Sequence, residues 1–217
     1  MFGASGMVGQ GVLRECLLDP RVESVLVVGR NSTGQHADKL QEILQKDLYD
    51  LTAIENQLRG YDACFFCLGV SSAGMSEADY RRVTYDLTVT VAQTLLRLNS
   101  AMTFVYISGA GTDSTEKGRS MWARVKGQTE NALLRMPFKA AYMFRPGIIR
   151  PLHGIRSKTR GYRTLYTVLW PLIQILRAVA PNSLTTTERV GRAMIRVAID
   201  GASTHLLGTR EINDLGK

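Results

Sequence analysis

The sequence predicts a doubly wound α/β fold, a parallel sheet with helices packed on both faces. Three observations carry this. Short runs rich in β-branched and aromatic residues alternate with helical patterns; those runs are apolar on both faces, as strands beneath two helix layers must be; and a glycine-rich turn opens the first helix.

The turn is Gly3-Ala4-Ser5-Gly6-Met7-Val8-Gly9. Only Met1 and Phe2 precede it, against the roughly 5–6 residues of an ordinary strand. A truncated first strand is therefore expected, with its neighbours partly unpaired. Val8, Val12, Cys16 and Leu17 then share one helical face. Val25 to Val28 reads as the next buried strand, and Ala63 to Leu68 as another. Tyr80, Val83, Leu87, Val91, Leu95 and Leu98 form a second helical stripe, followed by strands at Phe104 to Ser108 and Ala141 to Phe144. Thr185 with Glu188 three residues on has capping-box spacing and predicts the last helix, through Val190, Met194 and Val197.

The chain has 217 residues, 45% hydrophobic and 21% charged. One globular domain over residues 1–217 suits that length, and disordered, collagen-like and low-complexity classes are excluded. Lys and Arg exceed Asp and Glu by 27 to 19, a net charge of +8 that suits an anionic ligand or surface. No helix-turn-helix, zinc-finger or aromatic RNA-binding signature accompanies the charge, so no nucleic-acid partner is expected. Cys16, Cys64 and Cys67 are too few for a disulfide framework, and no signal-peptide pattern opens the sequence; a reducing, cytoplasmic setting is expected. Cys64 and Cys67 match C-x-x-C by letters, but residues three apart on a strand face opposite ways, and no metal site is expected.

Glycines at 3, 6 and 9 permit a tight turn and close approach of the backbone to a pyrophosphate. Ser5, Met7 and Val8 bring N–H groups to the helix start. After the second strand stands Arg30, followed by Asn31, Ser32 and Thr33, where an acidic residue would select NAD. A guanidinium there can clamp a 2′-phosphate, so NADP(H) is preferred over NAD(H); an ordinary exposed arginine is the alternative.

These residues, with Asp47-Leu48 after the third strand, Cys67-Leu68-Gly69 closing the fourth, Ser108 closing the fifth, the Lys126 helix and Arg145-Pro146-Gly147 after the sixth, resemble the atypical short-chain dehydrogenase/reductases with a Rossmann fold. Phe66-Cys67-Leu68-Gly69 and Val125-Lys126-Gly127 are similar, more narrowly, to the Tat-interactive-protein oxidoreductase group and its epimerase-like relatives. The resemblance implies that Asp47 and Leu48 bracket adenine and that Cys67, Leu68 and Gly69 line the ribose side. It also implies that Ser108 binds a substrate carbonyl, that Lys126 holds the nicotinamide ribose, and that Pro146 and Gly147 pass beside the nicotinamide. Residues 148–184 are expected to form a substrate-side cap over a small-molecule substrate.

One position departs from the family. Its proton donor is a tyrosine four residues before the lysine, and here that position is Trp122. An indole N–H donates a hydrogen bond but has no usable pKa near neutrality. Tyr106, on the same strand face as Ser108, is the candidate replacement acid, with a core packing role as its alternative. Two functions stay open: an NADP(H)-dependent oxidoreductase or epimerase, and an NADPH-binding sensor or scaffold without turnover. Arg150, Arg156, Lys158, Arg160 and Arg163 lead into the apolar stretch Leu165 to Ala180, with Trp170 and Pro171. That pattern suits peripheral contact with an anionic membrane; a solvated basic approach to a packed helix is the plainer reading.

Overall fold

The computed structural model describes residues 1–155 and 183–217. In chain order these hold α1 (Met7–Leu18), β1 (Val25–Gly29), β2 (Leu40–Leu44), a 3₁₀ segment (Thr52–Leu58), β3 (Ala63–Phe66), α2 (Glu77–Arg81), α3 (Leu87–Leu98), β4 (Thr103–Ile107), α4 (Met121–Arg135), β5 (Ala140–Arg145), β6 (Ile148–Arg150), β7 (Leu184–Thr186), α5 (Thr187–Ile199), β8 (Leu206–Gly208) and α6 (Thr209–Leu215).

Alternation within the strands builds the two-sided core. Leu26, Val28, Phe104 and Tyr106 pack on one face with Val91 and Leu95 of α3 and Leu133 of α4. Val25, Val27, Val105 and Ile107 pack on the other with Val12 and Leu13 of α1 and Val190 and Met194 of α5. All five residues of β4 are buried, because both faces are covered.

Strands β1 and β2 pair in parallel, as do β3–β4, β4–β5 and β5–β8. Phe2 joins the two halves, bridging to Val28 on one side and Phe66 on the other. The order is thus β2, β1, Phe2, β3, β4, β5, β8, and it reverses at Phe2. Met1 and Phe2 carry the join between β1 and β3.

Three details differ from the sequence reading. The stripe from Tyr80 to Leu98 is interrupted by a π-helical turn at Arg82–Asp86, which the periodicity does not reveal. The final helix is capped one residue later than the spacing suggests: Thr186, not Thr185, accepts from the N–H of Arg189, and the Thr185 hydroxyl is buried without a partner among the described residues. The β6–β7 pair, joining Ile148–Arg150 to Leu184–Thr186, ties together the two ends of the expected cap. Arg156, Lys158, Arg160, Arg163 and Leu165 to Ala180 lie outside the described residues. Among the described residues no helix is long and apolar enough to cross a membrane.

Candidate functional site

In an open α/β sheet a ligand lies at the carboxyl ends of the strands where the order reverses. Here that place is the turn after Phe2. Gly3 has φ +82°, and a Cβ on it would stand 2.6 Å from the backbone of Cys67 and Leu68. A Cβ on Gly9 would stand 2.0 Å from the Gly3 carbonyl oxygen. Both positions admit glycine alone, and their absent side chains leave a cradle of bare backbone. The N–H of Gly6 donates to the Gly3 carbonyl at 3.0 Å, closing the turn. Gly6 is also the N-cap of α1 and supplies no side-chain cap, so the first turn of a 12-residue helix presents its N–H groups, including those of Met7 and Val8, to an incoming anion. A dinucleotide pyrophosphate fits this donor set.

Arg30 is exposed beyond β1. The neighbouring hydroxyls are not free donors as the sequence implied. Ser32 donates to Glu42 at 2.6 Å, and both the backbone N–H and the hydroxyl of Thr33 donate to the same carboxylate. Partial burial pushes the Glu42 pKa up, but these bonds outweigh it and hold the carboxyl below its usual range. Asp47 is exposed and its carboxylate accepts from the Tyr49 N–H at 2.9 Å. Leu48, expected against adenine, packs in the core at 6% exposure, which leaves its backbone rather than its side chain to a ligand.

Cys67 and Leu68 lie directly under Gly3, with exposed Gly69 following. Cys64 packs into one core layer and Cys67 against the other; both are free thiols, and burial pushes both pKa values up, that of Cys64 to about 12. Pro146 accepts from the N–H of Ala110 at 2.9 Å, and the Gly147 N–H donates to the Thr209 hydroxyl at 2.8 Å. These contacts place the β4 and β5 loops side by side at the sheet edge.

Ser108 and Lys126 meet there. The Lys126 Nζ donates to the Ser108 carbonyl oxygen at 2.8 Å. Burial lowers the Lys126 pKa to about 8, against an opposing pull from Glu130. The Ser108 hydroxyl, however, faces inward, 2.5 Å from Glu130 Oε1 and 3.0 Å from the Phe144 carbonyl oxygen. Its single proton serves one of these acceptors, so in this geometry it is not offered to a substrate carbonyl.

Glu130, fully buried, was missed by the sequence reading. It lies four residues after Lys126 on the same face of α4. Arg145 grips its carboxylate from the end of β5, with Nε at 3.0 and 3.1 Å from the two oxygens and Nη2 in direct contact; Nη2 also donates to the Ser114 hydroxyl at 2.5 Å. The missed signal was an acidic residue one turn beyond the lysine, paired with an arginine that had served only as part of a fingerprint.

Tyr106 is a correction. Its side chain is 1% exposed, tilted against the Phe66 ring at 6.1 Å, with Lys126 Nζ 5.6 Å from its own ring centre. Burial above all drives its pKa far up, with Tyr80 and Glu130 adding to this. A phenol so enclosed takes no part as a solvent-side acid. Trp122, partly buried one turn before Lys126, abuts the Gly111 backbone, where an added Cβ would lie 3.3 Å from the indole. Away from this edge, Glu15, His153 and Glu188 converge, but Arg192 binds Glu15 at 3.1 Å and Glu188 at 2.7 Å, making the group an ion-pair network.

The comparisons agree with this architecture. A protein named FMP52-2, mitochondrial, from Scheffersomyces stipitis is 27% identical over 233 residues, covering 100% of this chain and 96% of its own. The HTATIP2 protein of Rattus norvegicus is 24% identical over 196 residues, covering 84% and 79%. Among solved structures, the dTDP-glucose 4,6-dehydratase DesIV of Streptomyces venezuelae superposes with TM-score 0.67 at 13% identity, covering 96% of this chain and 74% of that one. The ADP-L-glycero-D-manno-heptose-6-epimerase of Helicobacter pylori gives 0.67 at 14%, covering 99% and 78%. These two show the fold. Residues 1–120 match the profile described as the NAD dependent epimerase/dehydratase family, and the chain belongs to that family.

Proposed function

We propose that the protein is an NADP(H)-dependent oxidoreductase of atypical short-chain type, acting on a carbonyl, hydroxyl or nucleotide-sugar-like small molecule. The observation that carries this reading is the Gly3–Gly9 cradle at the start of α1, at the same sheet edge as the half-buried Lys126 held by the Ser108 carbonyl. The helix start binds the pyrophosphate, and Arg30 pairs with a 2′-phosphate. A bound nicotinamide supplies or accepts the hydride.

The chain's own residues hold the reaction in place. Lys126, fixed through the Ser108 carbonyl, would hold the nicotinamide ribose of a bound cofactor. With Trp122 in the usual phenol position and Tyr106 in the core, the proton comes from water, from the substrate or from Lys126, whose pKa near 8 suits proton transfer near neutrality. Incubating the protein and NADPH with a panel of aldehydes, ketones and nucleotide sugars, and following loss of the reduced nicotinamide, tests this. Oxidation that is lost in Lys126→Met at saturating cofactor is the expected result.

A second reading has an observation of its own. The Ser108 hydroxyl faces Glu130, and Trp122 rather than a phenol stands one helical turn before Lys126. Both fit an NADPH-binding sensor or scaffold. Tight NADPH binding with no oxidation by any member of the panel would favour it.

A further inference from the structure

The chain leaving β1 is pinned to β2 at two points, and Arg30 stands between them. At the first, the Gln45 N–H donates to the Gly29 carbonyl at 2.9 Å. At the second, the half-buried Glu42 carboxylate accepts from the Ser32 hydroxyl at 2.6 Å, from the Thr33 N–H at 2.9 Å and from the Thr33 hydroxyl. Gly29 pairs with Leu44 and Val27 with Glu42, so by Thr33 the chain has turned back along β2. Arg30 and Asn31 are the crest of that reversal. The crest is tight: a Cβ on Gly29 would stand 3.7 Å from the Asn31 carbonyl oxygen. It lies at the carboxyl ends of β1 and β2, the edge of the sheet where a ligand binds.

Glu42 is the acceptor on which the second anchor depends. Each hydroxyl spends its one proton on Glu42 and accepts from the amide two residues on, Gly34 to Ser32 at 3.0 Å and Gln35 to Thr33 at 3.2 Å. Without the carboxylate, three donors lose their shared partner and the crest is left on its Gly29 anchor. An arginine on a loose crest must be ordered whenever it meets a phosphate, and that ordering cost is taken from the binding energy.

We infer that Glu42 is a positioning residue for cofactor selection: it fixes the crest so that the Arg30 guanidinium is already in place for a 2′-phosphate. This deepens the NADP(H) reading and rests on it. The effect is confined to one nucleotide, because NADH carries a hydroxyl where NADPH carries the phosphate. Charge alone predicts the opposite sign, since a carboxylate near a phosphate repels it and its removal would tighten binding. Here three hydrogen bonds offset that charge, and the lost order dominates.

The test titrates the wild type, Glu42→Ala and Glu42→Gln with NADPH and with NADH by nucleotide fluorescence, and follows hydrogen exchange at the Thr33 amide without nucleotide. Glu42→Ala is expected to weaken NADPH about fivefold or more, to leave NADH within about twofold, and to speed Thr33 exchange about tenfold or more. Glu42→Gln keeps an acceptor for Thr33 and can donate to the Ser32 oxygen, so NADPH affinity is expected within about twofold of the wild type. Four results would overturn the role of Glu42 and leave the NADP(H) reading standing: NADPH binding unchanged or tighter in Glu42→Ala, equal losses for both nucleotides, Glu42→Gln as weak as Glu42→Ala, or undiminished Thr33 protection in Glu42→Ala. A wild type that binds neither nucleotide saturably would overturn both.

Discussion

The Ser108 hydroxyl stands 2.5 Å from the Glu130 carboxylate, and Arg145 holds that carboxylate from the other side. A fully buried acid is thus satisfied by one serine and one guanidinium at the edge where the family places its catalytic serine.

Breaking this group should be costly in proportion to the charge left behind. Glu130→Gln leaves the Arg145 guanidinium without its carboxylate and is expected to lose about 3–5 kcal/mol in urea unfolding. Ser108→Ala removes one hydrogen bond to a buried acid and is expected to lose about 2 kcal/mol. If the serine only positions Glu130, Ser108→Ala keeps most of any turnover in protein that remains folded.

Lys126 gives a pH signature. Its folded pKa is lowered to about 8, so the unfolded chain binds more protons than the folded one between there and the ordinary lysine value near 10.4. Stability contributed at this position therefore rises as pH increases from 7 through 8 toward 10. The stability of the wild type relative to Lys126→Met should increase over that range, as read by chemical denaturation at matched ionic strength. A turnover that needs the ammonium should fall above pH 8 over the same interval.

Gly9→Ala should close the nucleotide cradle from within. The new methyl would start 2.0 Å from the Gly3 carbonyl oxygen, and the turn must open to admit it. Nucleotide affinity is expected to drop at least tenfold by fluorescence titration, an effect of about 1.4 kcal/mol or more.

Trp122→Tyr restores a phenol one helical turn before Lys126. For an oxidoreductase limited by proton supply, turnover with a responsive carbonyl compound should rise by tenfold or more, within the range of general acid catalysis. No change in a protein that binds NADPH equally well would favour the sensor reading.

The layered fold was legible because its strands are apolar on both faces and its glycine turn sits directly before α1. Glu130 was not, because a buried carboxylate and a solvent-facing one look alike until its partners Ser108 and Arg145 converge from other elements. β8 is too short, at three residues, to leave a period, and it exists by pairing with β5. Tyr106 misled because strand alternation gives the face of a side chain and not its depth. Ser32 and Thr33 read as phosphate donors until β2 brought Glu42 beside them.

The most direct measurement is a fluorescence titration of the wild type and Arg30→Glu with NADPH and with NADH. Saturable binding with preference for NADPH is predicted, and the substitution should weaken NADPH at least tenfold while leaving NADH within about twofold. Equal losses for both nucleotides, or no saturable binding of either by the wild type, would contradict the account.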